Sequence, residues 1–259
     1  TWATYWFLYI DEDNEHEYYD KISHIITQRP QLNHLFTRNQ LARSPKVYAR
    51  KIILFLQLMQ ARFNNRGTVI KDPTGVLLSD WLSRRFDIPV VALIRHPGAF
   101  VESVVRKQSH HPFEHFLNQP QLMNKYLRPY TKTLHEFAEE QKNLVEQGAL
   151  LWILLNRILC SYEKNNNKIK IFRHEDIALH PEEEFKKIMD HLGLPFEKKT
   201  GDIIMEYCSS ENTSEGGTVR GGLSRNYVKR NPVASISKWK QRLSESQVEL
   251  IKTYTCEIA

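Results

Sequence analysis

The sequence predicts an α/β fold, a parallel sheet with helices packed on both faces, and three observations predict it. Short apolar runs, "TVI" (68–70), "VVALI" (90–94) and "IKIF" (169–172), are continuous rather than alternating, as strands covered on both faces are. Helix-patterned segments separate them, and that alternation is the mark of a parallel sheet. Two of the runs end on a cation, Lys71 and Arg95, at the carboxyl ends of strands where such folds collect their ligands.

Each element has a local reason. "KIILFLQLM" (51–59) reads as a core helix, being half the roughly 18 apolar residues that a membrane span needs. "TVI" is closed by Lys71-Asp72-Pro73. In "VLLSDWLSRRF" (76–86), Val76, Leu77, Trp81, Leu82 and Phe86 share one helical face. "VVALI" finishes on Arg95, and His96-Pro97-Gly98 turn the chain into a helix that carries Ser103, Arg106 and Lys107. "ALLWILLNRILCSY" (149–162) is apolar nearly all round, hence a buried helix with Trp152 in the core. "NNNK" (165–168) turns into "IKIF". Residues 181–193 start with proline and three glutamates and stop at Gly193, which satisfies both helix-end rules.

The bulk properties narrow the function. A chain of 259 residues, 41% hydrophobic and 25% charged, is an ordinary globular protein, read here as a single domain over 1–259. No membrane span and no signal peptide are legible. A net charge of +6 favours a polyanionic ligand but is too dilute to argue for nucleic acid. The densest basic stretch is 220–242. Cys160, Cys208 and Cys256 are odd in number and far apart, which points to neither a metal site nor a disulfide framework. The expected compartment is reducing, the cytoplasm, with one luminal disulfide as the alternative.

The chemistry concentrates at residues 95–107. A phosphate at this strand end would receive the Arg95 guanidinium, the Ser103 hydroxyl and amides of the helix N-terminus, with Arg106 and Lys107 further along. The competing reading is an Arg–carboxylate ion pair beside an ordinary helix serine. A second cluster, His110, His111 and His115 in "SHHPFEHF", lacks a fixed third metal ligand and is interrupted by Pro112. It reads better as the lining of a cleft, and no metal is expected. Gly216, Gly217, Gly221 and Gly222 mix with Arg220, Arg225, Lys229 and Arg230 in a loop that either covers a ligand or is simply solvated.

"LIRHPGAFVES" resembles the 3′-phosphate element of the sulfotransferases that use 3′-phosphoadenosine 5′-phosphosulfate (PAPS), which place Arg at a strand end and Ser eight positions later, as Arg95 and Ser103 are here. "VIKDPTG" (69–75) resembles the "KDP" segment of the tyrosylprotein-type and bacterial branch, whose lysine touches the reacting sulfate. "FRHEDIALHPEEEFKKIMDHLGLPF" (172–196) resembles the family's "RYED" strand and helix, with His174 where a tyrosine commonly faces adenine. "KRNPVASISKWKQRLSESQVELI" (229–251) resembles its C-terminal segment, in which Lys229 stands ten positions before Trp239.

The resemblance implies a three-layer P-loop-type α/β fold with a central parallel sheet flanked by helices. It implies PAPS as donor, 3′-phosphoadenosine 5′-phosphate (PAP) as product, and a hydroxyl acceptor, whether saccharide, glycolipid, phenol or tyrosine. Lys71 would be catalytic, and Arg95, Ser103, Lys107, His174, Arg225 and Lys229 would bind the nucleotide. The family's Gly-rich phosphosulfate loop is not recognisable in the chain. It is expected upstream of Thr1, unless "TW" forms its last two residues. Cytosolic relatives carry a basic histidine two residues past the lysine, where this chain has Pro73. In the tyrosylprotein-type branch the base is a glutamate shortly after the phosphosulfate loop, and the resemblance implies Glu12, Glu15, His16 or Glu17 as its equivalent here, or a base outside this chain. A nucleotide or sugar kinase on the same architecture and a non-catalytic nucleotide-binding relative are the alternatives. The kinase reading lacks acids for Mg2+ at these strand ends, where Asp72 stands alone.

Overall fold

The computed structural model describes residues 5–26, 69–140, 142–209, 217–218, 228–229 and 231–256. The expected helix at 51–59, Arg225 with the rest of the basic loop, the side chain of Lys229 and the opening "TW" lie outside the described residues. Two compact units are formed, one of Ile10–Pro73 with the first four residues, the other of Tyr5–Tyr9 and Thr74–Ala259.

In the first unit, helix α1 (Glu15–Ile26) follows a tight turn in which the Asn14 side chain accepts from the Asp11 amide at 3.0 Å and Asp11 accepts from the Asp13 amide at 3.1 Å. Glu15 and Glu17 occupy its first turn, where carboxylates offset the positive end of the helix dipole. Ile10 and Ile22 are buried. Of the strand expected at 68–70, the described residues 69 and 70 have no regular structure, nor have 71 and 72; Val69 is 84% exposed and Ile70 43% exposed. A strand needs a neighbouring backbone to satisfy its ladder, and among the described residues none pairs with this run.

The second unit contains helix α2 (Ser79–Phe86), strand β1 (Val90–Ile94), helix α3 (Pro97–Arg106) and the short helix α4 (Glu114–Leu117). A π-helical turn, Met123–Leu127, and a 3-10 turn lead into α5 (Thr131–Glu139). Then come α6 (Leu144–Asn165), β2 (Ile169–Arg173), α7 (His174–Leu179), α8 (Pro181–His191) and α9 (Lys198–Tyr207). The two-residue strands β3 (Gly217–Thr218) and β4 (Val228–Lys229) pair antiparallel, and α10 (Pro232–Ile236), α11 (Trp239–Arg242) and α12 (Glu245–Thr255) close the chain. The sheet that bears the site is a parallel pair, β1 beside β2, with Val90 opposite Ile169 and Ile94 opposite Arg173. The α/β class read from the sequence is the observed one, with two parallel strands among the described residues rather than three.

Helix α6 is the spine of this unit. Asn143 caps it by accepting from the Val145 and Glu146 amides, both at 3.0 Å, worth about 1 kcal/mol for such a cap. Leu150, Trp152, Ile153, Leu154, Ile158 and Tyr162 are buried in the main core with Leu77, Phe113, Phe116 and Leu122. By length and composition α6 could cross a membrane, but 72% of its most apolar window is buried inside the protein, as a core helix requires. It packs closely on α3, where Gly148 brings the two backbones together over Val101. Helix α8 begins at Pro181, continues with three glutamates in its first turn and is followed by Gly193 at φ +65°, as its sequence predicts. The His191 ring nitrogen Nε2 lies 3.2 Å from the Val90 carbonyl and 3.1 Å from that of Lys168, tying the starts of both strands to α8.

Candidate active site

The parallel register decides the geometry. Because Ile94 lies opposite Arg173, the residues that follow, Arg95 and His174, leave the carboxyl ends of neighbouring strands side by side. Paired strands stand about 4.8 Å apart. The Arg95 carbonyl accepts from the Trp152 indole at 2.8 Å, which fixes its backbone on α6. Its guanidinium nitrogen Nε is buried with no hydrogen-bond partner, and so is Nδ1 of His174. No carboxylate pairs with the Arg95 guanidinium among the described residues, so the ion-pair reading of this arginine has no support there.

Two orphaned buried polar atoms at one strand end are costly unless a ligand meets them. The charge around them is positive. His174 is held below the ordinary histidine range by burial first and then by the Arg95 charge. The neighbouring His96 is lowered by burial, against the opposing pull of Glu175, with Lys240 and Arg173 adding to the lowering. Glu175 is the acid at this turn, buried and engaged by the His96 amide. The cations Arg95, Arg173 and Lys240 outnumber it, a balance that can hold an anion.

The turn at His96-Pro97-Gly98 is held by partners that sequence reasoning passed over. The His96 amide donates to Glu175 Oε1 at 3.0 Å, and the His96 ring accepts from the Gly98 amide at 3.1 Å, capping α3. Ser103 lies half-buried on α3, with no hydrogen bond from its hydroxyl among the described residues. Arg106, expected to help with the anion, is instead bonded to buried Glu102 at 3.0 Å, and Arg242 reaches the same carboxylate oxygen at 2.7 Å. Those two cations hold Glu102 below the usual carboxylate range despite its burial. Lys107 is exposed at the far end of α3, about 15 Å along the axis from the helix start. The structure therefore sets Arg95 and His174 side by side on neighbouring strand ends, with Ser103 on the helix that follows Arg95 and Lys107 at that helix's far end. Glu102, an acid inside apolar α3 four residues before Arg106, was an available signal, whereas Glu175 stands among the polar residues of "RHED" and gave none.

Lys71 is exposed and belongs to the first unit, as do half-buried Glu15 and exposed His16, Glu17 and Glu12. Lys229 forms part of β4, opposite Gly217. The histidine cluster has a different character from the cleft lining expected. His111 is buried among Trp6, Phe7, Phe113 and Phe116 with both ring nitrogens unpartnered. His115 instead accepts from the Trp6 amide at 3.2 Å. Gln119 completes this seam, accepting from the Tyr9 amide at 2.8 Å and donating to the Phe7 carbonyl at 3.0 Å. Among the described residues no three His, Cys, Asp or Glu side chains gather as metal ligands would, and the three cysteines are free thiols.

Comparison with known proteins gives this arrangement a context. No curated protein matches the chain. Among solved structures, a sulfotransferase domain from the curacin biosynthetic pathway is similar over 77% of this chain, at 17% identity and a TM-score of 0.43, and the match spans 65% of that domain's length. The sulfotransferase domain family matches residues 68–257, a stretch that includes the Arg95 turn, both parallel strands, the "RHED" segment and the helix bearing Trp239. With most of its length inside that match, this chain belongs to the sulfotransferase domain family, and its fold is the P-loop-type α/β fold expected from the motifs.

Proposed function

We propose that the protein transfers a sulfuryl group from PAPS to a hydroxyl acceptor. The observation that carries this reading is the pair of orphaned buried atoms, Arg95 Nε and His174 Nδ1, on adjacent strand ends. A 3′-phosphate would receive the guanidinium, the Ser103 hydroxyl and the start of α3, while the His174 imidazole would meet the nucleoside. In the reaction, the bond from sulfur to the bridging oxygen of the phosphosulfate breaks as a bond to the acceptor oxygen forms. The bridging oxygen leaves with its electron pair on PAP, and the acceptor's proton passes to a base. Catalysis then rests on positioning and on neutralising the leaving oxygen, the part assigned here to Lys71. Glu15, His16 and Glu17 are the proposed candidates for the base, and Lys229 and Arg225 are assigned to the nucleotide phosphates.

Calorimetric titration with PAP, with ATP and adenosine 5′-phosphate as controls, tests the donor. PAP is expected to bind more tightly than either control. Arg95→Ala should weaken PAP by roughly ten- to a hundredfold, the loss of a charge-assisted contact, and adenosine 5′-phosphate by less than threefold. Equal losses for both ligands would remove the 3′-phosphate assignment.

A further inference from the structure

The turn after β1 is braced from four directions by groups that do not face the anion. Glu175 holds the His96 amide, Trp152 holds the Arg95 carbonyl, and the Gly98 amide donates to His96 Nδ1. The fourth brace comes from the C-terminal segment. The Trp239 ring stacks on the His96 imidazole with centroids 4.5 Å apart and an interplanar angle of 19°. Gly98 lies so close to that ring that a Cβ would sit 2.6 Å from Trp239 Cε3. One turn further along α3, Glu102 binds Arg242 at 2.7 Å, so α11 is clamped to α3 at both of its ends.

The cap requires a particular state of His96. Nδ1 accepts a hydrogen bond only while the ring is neutral with its proton on Nε2. Burial favours that neutral form. The same ring then serves two partners at once, the helix amide through its edge and the indole through its face.

We propose that His96 is a positioning residue: its neutral imidazole fastens the C-terminal segment, through Trp239, to the turn that presents Arg95, and so preorganises the grip on an adenosine 3′,5′-bisphosphate. The inference rests on the donor reading above. A turn held on every side needs no ordering when the ligand arrives, and the ordering cost otherwise appears as lost affinity.

The test is PAP and adenosine 5′-phosphate binding by calorimetry on the full chain, with His96→Ala, His96→Asn, His96→Phe, Trp239→Leu and the double variant His96→Ala/Trp239→Leu. His96→Ala should weaken PAP about tenfold, from loss of both cap and stack, and weaken adenosine 5′-phosphate less than threefold. Asparagine can restore the cap and phenylalanine the stack, so each recovers part of the loss. These two variants also carry the test should His96→Ala fail to fold. In the Trp239→Leu background, His96→Ala should cost clearly less than in the wild type, the coupling expected of groups in contact. Wild-type PAP affinity in folded His96→Ala, equal losses for both nucleotides, or losses that simply multiply in the double variant would each overturn the brace alone. Absence of PAP binding by the wild-type chain would overturn the donor reading and the inference with it.

Discussion

Gly98→Ala isolates the closest approach in the site. The new methyl group would stand 2.6, 2.8 and 2.9 Å from three atoms of the Trp239 ring, where carbon atoms normally rest at about 3.5–4.0 Å. The indole must therefore retreat by about 1 Å. It has little room, being buried in a cluster with Ala99, Val101, Val145 and Leu243 and stacked on His96. Overpacking of this kind costs about 1–3 kcal/mol. Replacing a helical glycine by alanine returns about 1 kcal/mol in helix propensity, which leaves a net destabilisation of up to about 2 kcal/mol. Urea unfolding should show a lower midpoint at unchanged slope, and PAP affinity should fall as the indole leaves the imidazole. Gly148→Ala is the internal control. Its Cβ would meet Val101 Cγ2 at 3.3 Å and Val101 Cα at 3.4 Å, a squeeze of a few tenths of an ångström that propensity roughly offsets. If Gly98→Ala proves as stable as Gly148→Ala, the indole does not rest where its stacking on His96 requires.

Three further outcomes are expected. Burial, with His115 nearby, pushes the His111 imidazole down to about 3, so the folded state keeps it neutral while the unfolded chain protonates it below about 6.5. Its contribution is therefore intact above pH 6.5 and is lost as pH falls towards 3, by about 1.4 kcal/mol per pH unit. His111→Phe should gain about 2–3 kcal/mol on the wild type between pH 7 and pH 4.5 in urea melts, and a difference that is the same at both pH values would refute the burial argument. Burial and Arg95 hold His174 down, whereas a bound phosphate would raise it, so between those two values PAP binding draws a proton onto the ring and tightens as pH falls. Calorimetry at pH 6 in buffers of differing ionisation enthalpy should show greater proton uptake for the wild type than for His174→Gln, and identical uptake would separate His174 from the bound nucleotide. Lys71→Ala should lower turnover by roughly 10²–10³-fold and change PAP affinity less than threefold; near-normal turnover would remove Lys71 from the mechanism.

The strand that ends on Arg95 and the helix that begins at Pro97 were legible because the apolar run, the proline and the glycine all act locally. So was the parallel pairing class, although the covering layers inferred from an uninterrupted "VVALI" are not seen on β1 among the described residues: Leu93 is exposed and its other residues are half-buried. "TVI" misled for a related reason: three apolar residues satisfy a pattern, but only a neighbouring backbone makes a strand. Arg106 and Lys107 looked alike in sequence. What separates them is Glu102, a buried carboxylate that takes Arg106 together with Arg242, 140 residues away. The histidine cluster shows the same limit. His111 owes its character to Trp6 and Phe7, which no local pattern connects to residues 109–116. Side chains that answer to their own helix or strand could be read; those that answer to a distant partner could not.

The register of β1 and β2 has a consequence for folding. Arg95 and His174 have no fixed spacing in the chain until the two strands pair, across a sequence separation of 79 residues between His96 and Glu175. Contacts of such separation form late, because loop closure must precede them. A nucleotide that meets Arg95 through its phosphate and His174 through its nucleoside recognises only the paired state, so it acts as a clamp on the sheet. At a concentration one hundred times its dissociation constant such a ligand adds about 2.7 kcal/mol to the folded form. Protein that has collapsed without aligning these strands would be blind to the nucleotide, which makes the ligand a reporter of correct strand pairing.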